Sequence, residues 1–145
     1  MSSQDARTYL AHTKTRYDLI VPDVYNNDTV PFALTTQEYV QALRHVLRSG
    51  GSVAANLIGG TNPSCMPLLA SLERSYTSSF SNWRLYPLGD DAASFQQNII
   101  GLYSDAPLDW ANSISEQQKL AITGGKLLTD NYAPIESLQQ KCSYL

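Results

Sequence analysis

The sequence has no run of lysine and arginine. Ten basic residues stand against 13 acidic ones, for a formal net charge of -3. A protein that grips a nucleic-acid backbone normally presents a basic face, so nucleic acid is not an expected partner. Cysteine is scarce: Cys65 and Cys142 are the two, without CxxC or Cys/His spacing of the zinc-binding kind. The expectation is no metal, and two reduced thiols in a cytoplasmic protein. No uncharged apolar run is long enough to cross a membrane. The opening "MSSQDARTYL" lacks a basic segment followed by an apolar one, so no signal peptide is expected. Repeats and low-complexity segments are missing, and so are GxGxxG and the P-loop pattern.

What is present fits one globular domain. The chain has 145 residues, 43% of them hydrophobic and 16% charged, enough to bury a core. Asp5 precedes "ARTYLAH", a short helix whose first N–H groups a carboxylate can accept. Asp18–Val21, "DLIV", is apolar on consecutive positions, as in a central strand covered on both faces, and Pro22 should end it. Thr35 and Glu38 have capping-box spacing at the head of a helix whose apolar face carries Tyr39, Val40, Leu43, Val46 and Leu47. Arg44, His45 and Arg48 suit its last turns, and Gly50 with Gly51 suits its C-cap.

"SVAANLI", Ser52–Ile58, reads as a second buried strand, with a turn at Gly59 and Gly60. A helix from Pro63 to about Phe80 follows, then strands "WRLYPL" and "NIIGLYS", which the turn-rich "GDDAAS" between them allows to pair antiparallel. A polar helix is expected near Pro107 and a last helix from Pro134. The alternation predicts an α/β protein with a mostly parallel sheet, helices on both faces and an antiparallel strand near one edge.

In an open sheet of this kind, ligands sit beyond the carboxyl ends of the parallel strands. Asp23 and Asn56–Gly60 would border one crevice there. From spacing alone, the plainer role of an aspartate after a strand is a turn former or cap. In a crevice with apolar walls the same carboxylate can accept a proton or hold an amine. His12 and His45 have no nucleophile or metal-ligand companion at a telling spacing.

The stretches "DARTYL", "YDLIVPDVYN", "VPFALTTQEYVQALRHVLRSGGSVAANLI" and "LLTDNYAPIESL", in this order, resemble the spermidine synthase family of aminopropyltransferases, in particular its bacterial spermidine synthase-like members. The resemblance runs from Asp5 to about Leu138. It implies a partial Rossmann-like, class I methyltransferase fold, and transfer of an aminopropyl group from decarboxylated S-adenosylmethionine, as co-substrate, to a polyamine or other small amine. S-adenosylmethionine and methyl transfer are the alternative. Asp5 and Ala6 fall on the pair that contacts the adenine, and Asp23 on the catalytic aspartate that holds and deprotonates the amine. Tyr25, Asn26, Asp130 and Tyr132 fall on substrate-binding positions. Asn26 stands where a second acid is common, Asn131 where the closing motif has one, and Ala6 where glycine is common.

The resemblance also implies that residues 1–145 form the C-terminal part of a single spermidine synthase-like domain. It would hold strands four to seven in the order 4-5-7-6, the last pair antiparallel, without the N-terminal cofactor-binding strands. "DLIV" would then lie at an open edge. Three situations follow: the chain is part of a longer protein, it pairs with a separate N-terminal partner, or it is a non-catalytic module that dimerises through that edge.

Overall fold

The computed structural model describes residues 5–25, 29–89, 96–113, 120, 122 and 124–142. The elements run α1 (Ala6–His12), β1 (Tyr17–Ile20), a 3-10 turn (Phe32–Leu34), α2 (Gln37–His45), β2 (Leu47–Gly59), α3 (Met66–Thr77), β3 (Asn82–Pro87), β4 (Gln97–Ser104), a second 3-10 turn (Asp109–Ser113) and α4 (Ile135–Cys142). Among the described residues the strands form one sheet in the order β1-β2-β4-β3. β1 and β2 are parallel, and β4 is antiparallel to both of its neighbours. The strand order and the antiparallel last pair are those expected of strands 4-5-7-6, but with one parallel pair among three the sheet is not the mostly parallel one that the alternation of elements suggests.

Alternation along β2 divides the protein into layers. Val53, Ala55 and Leu57 point to one face, where they meet Tyr39, Val40 and Leu43 of α2, Leu69 and Leu72 of α3, and Ile135 and Cys142 of α4 in the main core. Ala54 lies on the other face, with Leu102, Leu108 and Ala111 in a smaller cluster. In the main core the Tyr76 and Tyr103 rings stack at 4.5 Å. Both are buried, as is Tyr39.

Burial pushes the phenols of Tyr25 and Tyr39 up to about 12, and those of Tyr76 and Tyr103 well above the ordinary value of 10.0. A raised folded-state pKa gives stability that is complete below pH 10 and is lost as the pH climbs through the folded value, because the unfolded chain releases those protons first. Alkaline titration followed at 295 nm should therefore show these tyrosines ionising together, in one step with the loss of helical circular dichroism. A smooth titration of all nine tyrosines near pH 10, with the dichroism intact, would contradict this burial.

Several local expectations need correction. β1 is an edge strand, as the resemblance implies and not central as its apolar run suggests: Leu19 is 54% and the following Val21 63% exposed. Its consecutive apolar residues gave the same pattern that two covered faces would give, and no periodicity separates the two cases.

α2 ends at His45, and Leu47, Arg48, Gly50 and Gly51 belong to β2. The β1 strand recruits them: Tyr17 N donates to Val46 O at 2.9 Å, Tyr17 pairs with Leu47, and Arg48 meets the Asp18 carboxylate. Gly50, with φ 78°, lies where the register shifts between Tyr17 and Leu19, so its left-handed backbone serves a bulge and not a helix C-cap. The N-cap of α2 is Thr36, whose hydroxyl accepts from Tyr39 N, not Thr35 with Glu38.

The third helix starts at Met66 rather than Pro63. Near Pro107 the described residues form a 3-10 turn, and "GDDAAS" lies almost wholly outside the described residues.

The cysteines are also corrected. Cys65 and Cys142 form a disulfide, and both are buried. They are 77 residues apart in sequence, yet α4 packs on α3 and brings their Cα atoms to 4.3 Å. Sequence spacing carries no information on such a return. The described residues contain no cluster of His, Cys, Asp or Glu that could hold a metal ion, and no helix long and apolar enough to cross a membrane.

Candidate functional site

Asp23 leaves the carboxyl end of β1 in a loop that is fastened to β2 at three points. Asn56 N donates to Pro22 O at 3.2 Å, Asn56 Nδ2 donates to Asp23 Oδ1 at 3.3 Å, and Ile58 N donates to the Tyr25 hydroxyl at 2.6 Å. The parallel pairing of β1 with β2 stops at Ile20 and Val53. Beyond it the strand's outward N–H groups would be unpaired, and the loop satisfies them one by one. The sequence Pro22-Asp23-Val24-Tyr25 thus behaves as a prosthetic strand edge that holds a carboxylate at its middle. Asp23 itself is exposed. Tyr25 is mostly buried, and burial is the main cause of its raised phenol pKa; the Ile58 N–H opposes that rise and the Asp23 charge adds to it.

Below Asp23 lies a cavity of about 380 Å³ whose walls include Ala6 and Leu10 of α1, Tyr17 and Ile20 of β1, Asp23 itself, and Leu43 of α2. Asp5, which precedes Ala6 and does not itself line the cavity, caps the helix: Oδ1 accepts from Thr8 N at 3.0 Å and from the Thr8 hydroxyl at 3.2 Å. The Thr8 N–H is the main reason that its carboxyl lies below the usual value. The Arg7 backbone N–H and the guanidinium charge of Arg7 lower it further.

Asp130 belongs to a second cluster. Arg7 clamps it with Nη1 and Nη2, at 2.5 and 2.7 Å, and Nη1 also donates to Ala33 O at 3.2 Å. The Thr36 hydroxyl donates to Asp130 Oδ1 at 2.8 Å, and Asp130 N donates to the Glu38 carboxylate at 3.0 Å. The 129–132 turn, closed by paired hydrogen bonds between Thr129 and Tyr132, is thereby stitched to α1 and to the head of α2. Tyr132 is half-exposed, with Lys126 5.6 Å above its ring and 3.2 Å from its hydroxyl.

Arg7, before all other causes, holds the Asp130 carboxyl below 3.8, with Thr36 assisting. A depressed pKa gives stability that is present above the ordinary value and lost as the pH falls through the folded one. The pair is 30% and 40% exposed, which limits it to about 1 kcal/mol. Asp130→Asn is accordingly expected to cost about that much in urea unfolding at pH 7, with the difference vanishing in acid. An equal deficit at both pH values would show that packing, not charge, is involved.

Of the residues singled out in the sequence, Asp23 and Ala6 share a cavity, Asp5 is the helix cap next to Ala6, and Tyr25 anchors the Asp23 loop. Asp130 and Tyr132 lie in the separate stitched turn, with no hydrogen bond to Asp23 among the described residues. Asn26 lies outside the described residues. Asn56, Arg7 and Thr36 had no such role in the sequence reading. For Asn56 the sequence indicates no more than a position near the crevice, and the partner of Arg7 is 123 residues away, beyond any local spacing.

No family model matches the chain. Over 57 residues it is 32% identical to a probable polyamine aminopropyl transferase of Bifidobacterium longum, a match that takes in 39% of this chain and 13% of that protein. The crystal structure of a probable spermidine synthase from Corynebacterium glutamicum superposes with a TM-score of 0.63 at 20% identity, covering 97% of this chain and 50% of that one. Human Methyltransferase-like protein 13, solved in complex with SAH, gives 0.56 at 19%, covering 96% and 55%. The chain therefore spans about half the length of these solved structures, and the matched stretch is a small part of the curated relative. In fold, then, this chain is similar to about half of each of these two solved structures, and a 57-residue stretch of its sequence is similar to a probable polyamine aminopropyl transferase.

Proposed function

We propose that the chain forms the amine-acceptor side of a spermidine synthase-like aminopropyltransferase, with Asp23 as the base and residues 1–145 as the C-terminal part of its catalytic domain. The observation that carries this reading is the Asp23 carboxylate at the carboxyl end of a parallel strand, fastened by Asn56 and sharing a cavity with Ala6. An ammonium has no lone pair to attack with. Once the amine has given its proton to Asp23, its nitrogen forms a bond to the methylene carbon of the aminopropyl group. The carbon–sulfur bond breaks, and its electron pair stays on the sulfur of the departing thioether nucleoside. The positive charge of the sulfonium passes to the newly alkylated ammonium nitrogen and the proton rests on Asp23, so atoms and charge balance.

Residues for one end of the nucleotide are present. Asp5 would offer its carboxylate to the adenine amino group, and Ala6 offers a small side chain on the cavity wall. Tyr25, Asn26, Asp130 and Tyr132 would contact the acceptor, as the family resemblance implies. Nothing among the described residues supplies a glycine-rich loop for the methionine part of the nucleotide. On this reading that loop belongs to an N-terminal half covering β1, where Leu19 and Val21 are exposed. A second reading rests on the same exposure: the edge is covered by another copy of the chain, and the module is non-catalytic.

Calorimetry of the chain with decarboxylated S-adenosylmethionine and with S-adenosylmethionine separates the two. The first reading expects the decarboxylated form to be favoured once the N-terminal half is supplied. Micromolar binding by the chain alone counts against the non-catalytic module. No binding of either form to the completed protein would refute the transferase reading.

A further inference from the structure

We infer that Asn56 is a positioning residue for Asp23, an inference that rests on the transfer reading above. Asn56 lies within β2 between the buried Ala55 and Leu57, opposite Ile100 of β4. Asparagine is disfavoured inside strands, and here its Oδ1 is buried without a hydrogen-bond partner among the described residues. A buried acceptor without a partner loses its hydration with no return, so an aliphatic side chain of similar size would suit the sheet better. The contact that offsets this loss is the Nδ2 donation to Asp23 Oδ1 at 3.3 Å. The opposite amide orientation would set Oδ1 against the carboxylate and leave Nδ2 in the buried position, so the hydrogen-bond pattern selects this one.

The donation has a geometric consequence. One oxygen of Asp23 is anchored, while Oδ2 has no partner among the described residues and is left for the amine. Asn56 also holds the preceding carbonyl, Pro22 O, through its main-chain N–H. A side-chain substitution leaves that second bond in place, so the loop stays attached while the carboxylate loses its brace. Residues that violate local sheet preferences without a packing gain tend to serve a site.

Two measurements test the inference. In the chain itself, the Asn56 side-chain amide resonances should move and their exchange quicken in Asp23→Ala, with those of Asn62 unchanged; an unmoved Asn56 amide overturns the contact. In the protein completed by an N-terminal half, Asn56→Leu should lower kcat about 10- to 100-fold, the scale of a displaced catalytic group. KM for the amine should be little altered and the thermal midpoint no lower than in the parent. Asn56→Gln, which keeps a donor, should recover part of kcat, and Asn56→Ala serves if the leucine variant does not fold. Unchanged kcat in Asn56→Leu, beside a large loss in Asp23→Asn, overturns the positioning role alone. Unchanged kcat in Asp23→Asn overturns the base assignment instead.

Discussion

Asp23→Asn in the completed protein is expected to lower kcat by about a thousandfold, within the span that general bases contribute. The substitution is nearly isosteric, and the new amide oxygen can still accept from Asn56 Nδ2, so the loop keeps its three fastenings to β2. What disappears is the acceptor for the amine's proton. The residual rate should then rise with pH, as solvent takes over deprotonation of the substrate, whereas the parent enzyme gains less over the same range. Turnover of the variant at the parental rate would refute the role of Asp23. A loss of the same size in KM rather than kcat would assign it to amine binding alone.

The second large effect concerns the Cys65–Cys142 link. Closing a loop across 77 residues removes chain entropy worth about 4.5 kcal/mol from the unfolded ensemble, near the upper end of measured disulfide contributions. Domains of this kind have about 5–15 kcal/mol in all, so the link accounts for a third or more. For 145 residues the corresponding drop in Tm is about 15 °C. Both sulfurs are buried, at 0% and 1% residue exposure, so reductant should act only in step with opening of α4 from α3.

Comparing oxidised protein, reduced protein and the Cys65→Ala/Cys142→Ala variant by thermal unfolding checks this. Midpoints within about 3 °C of one another, or two free thiols in the protein purified without reductant, would contradict the prediction. The thiol state in cells bears on compartment as well. In a reducing compartment the link would tend to be open and the chain correspondingly less stable.

How much of this was legible beforehand depends on the range of the interaction. Asp5 as the cap of α1, the helix around Tyr39–Leu43 and the strand through Val53–Leu57 are local facts: the side chain and the N–H that it accepts lie three residues apart, or the apolar residues recur at one period. Errors fall where a partner distant in sequence competes with a local preference. Leu47–Gly51 would fit the end of a helix or the start of a strand, and Tyr17 and Asp18 on β1 decide for the strand. Thr35 and Thr36 are equivalent capping residues by composition. Asp130, arriving from the far end of the chain, selects Thr36.

The candidate site divides in the same way. The sequence by itself determined that a carboxylate follows an apolar strand, that Asp5-Ala6 opens a helix, and that these motifs occur in the order of spermidine synthase-like proteins. Order along the chain is enough for that, because each motif is read within its own few residues. Contacts that the folded chain alone creates are the brace of Asn56 on Asp23, the clamp by which Arg7 and Asp130 tie the closing turn to α1, and the meeting of Cys65 with Cys142. Each depends on the path by which β2, α3 and α4 return across the sheet, and contact between residues tens of positions apart is a property of that path, not of their spacing.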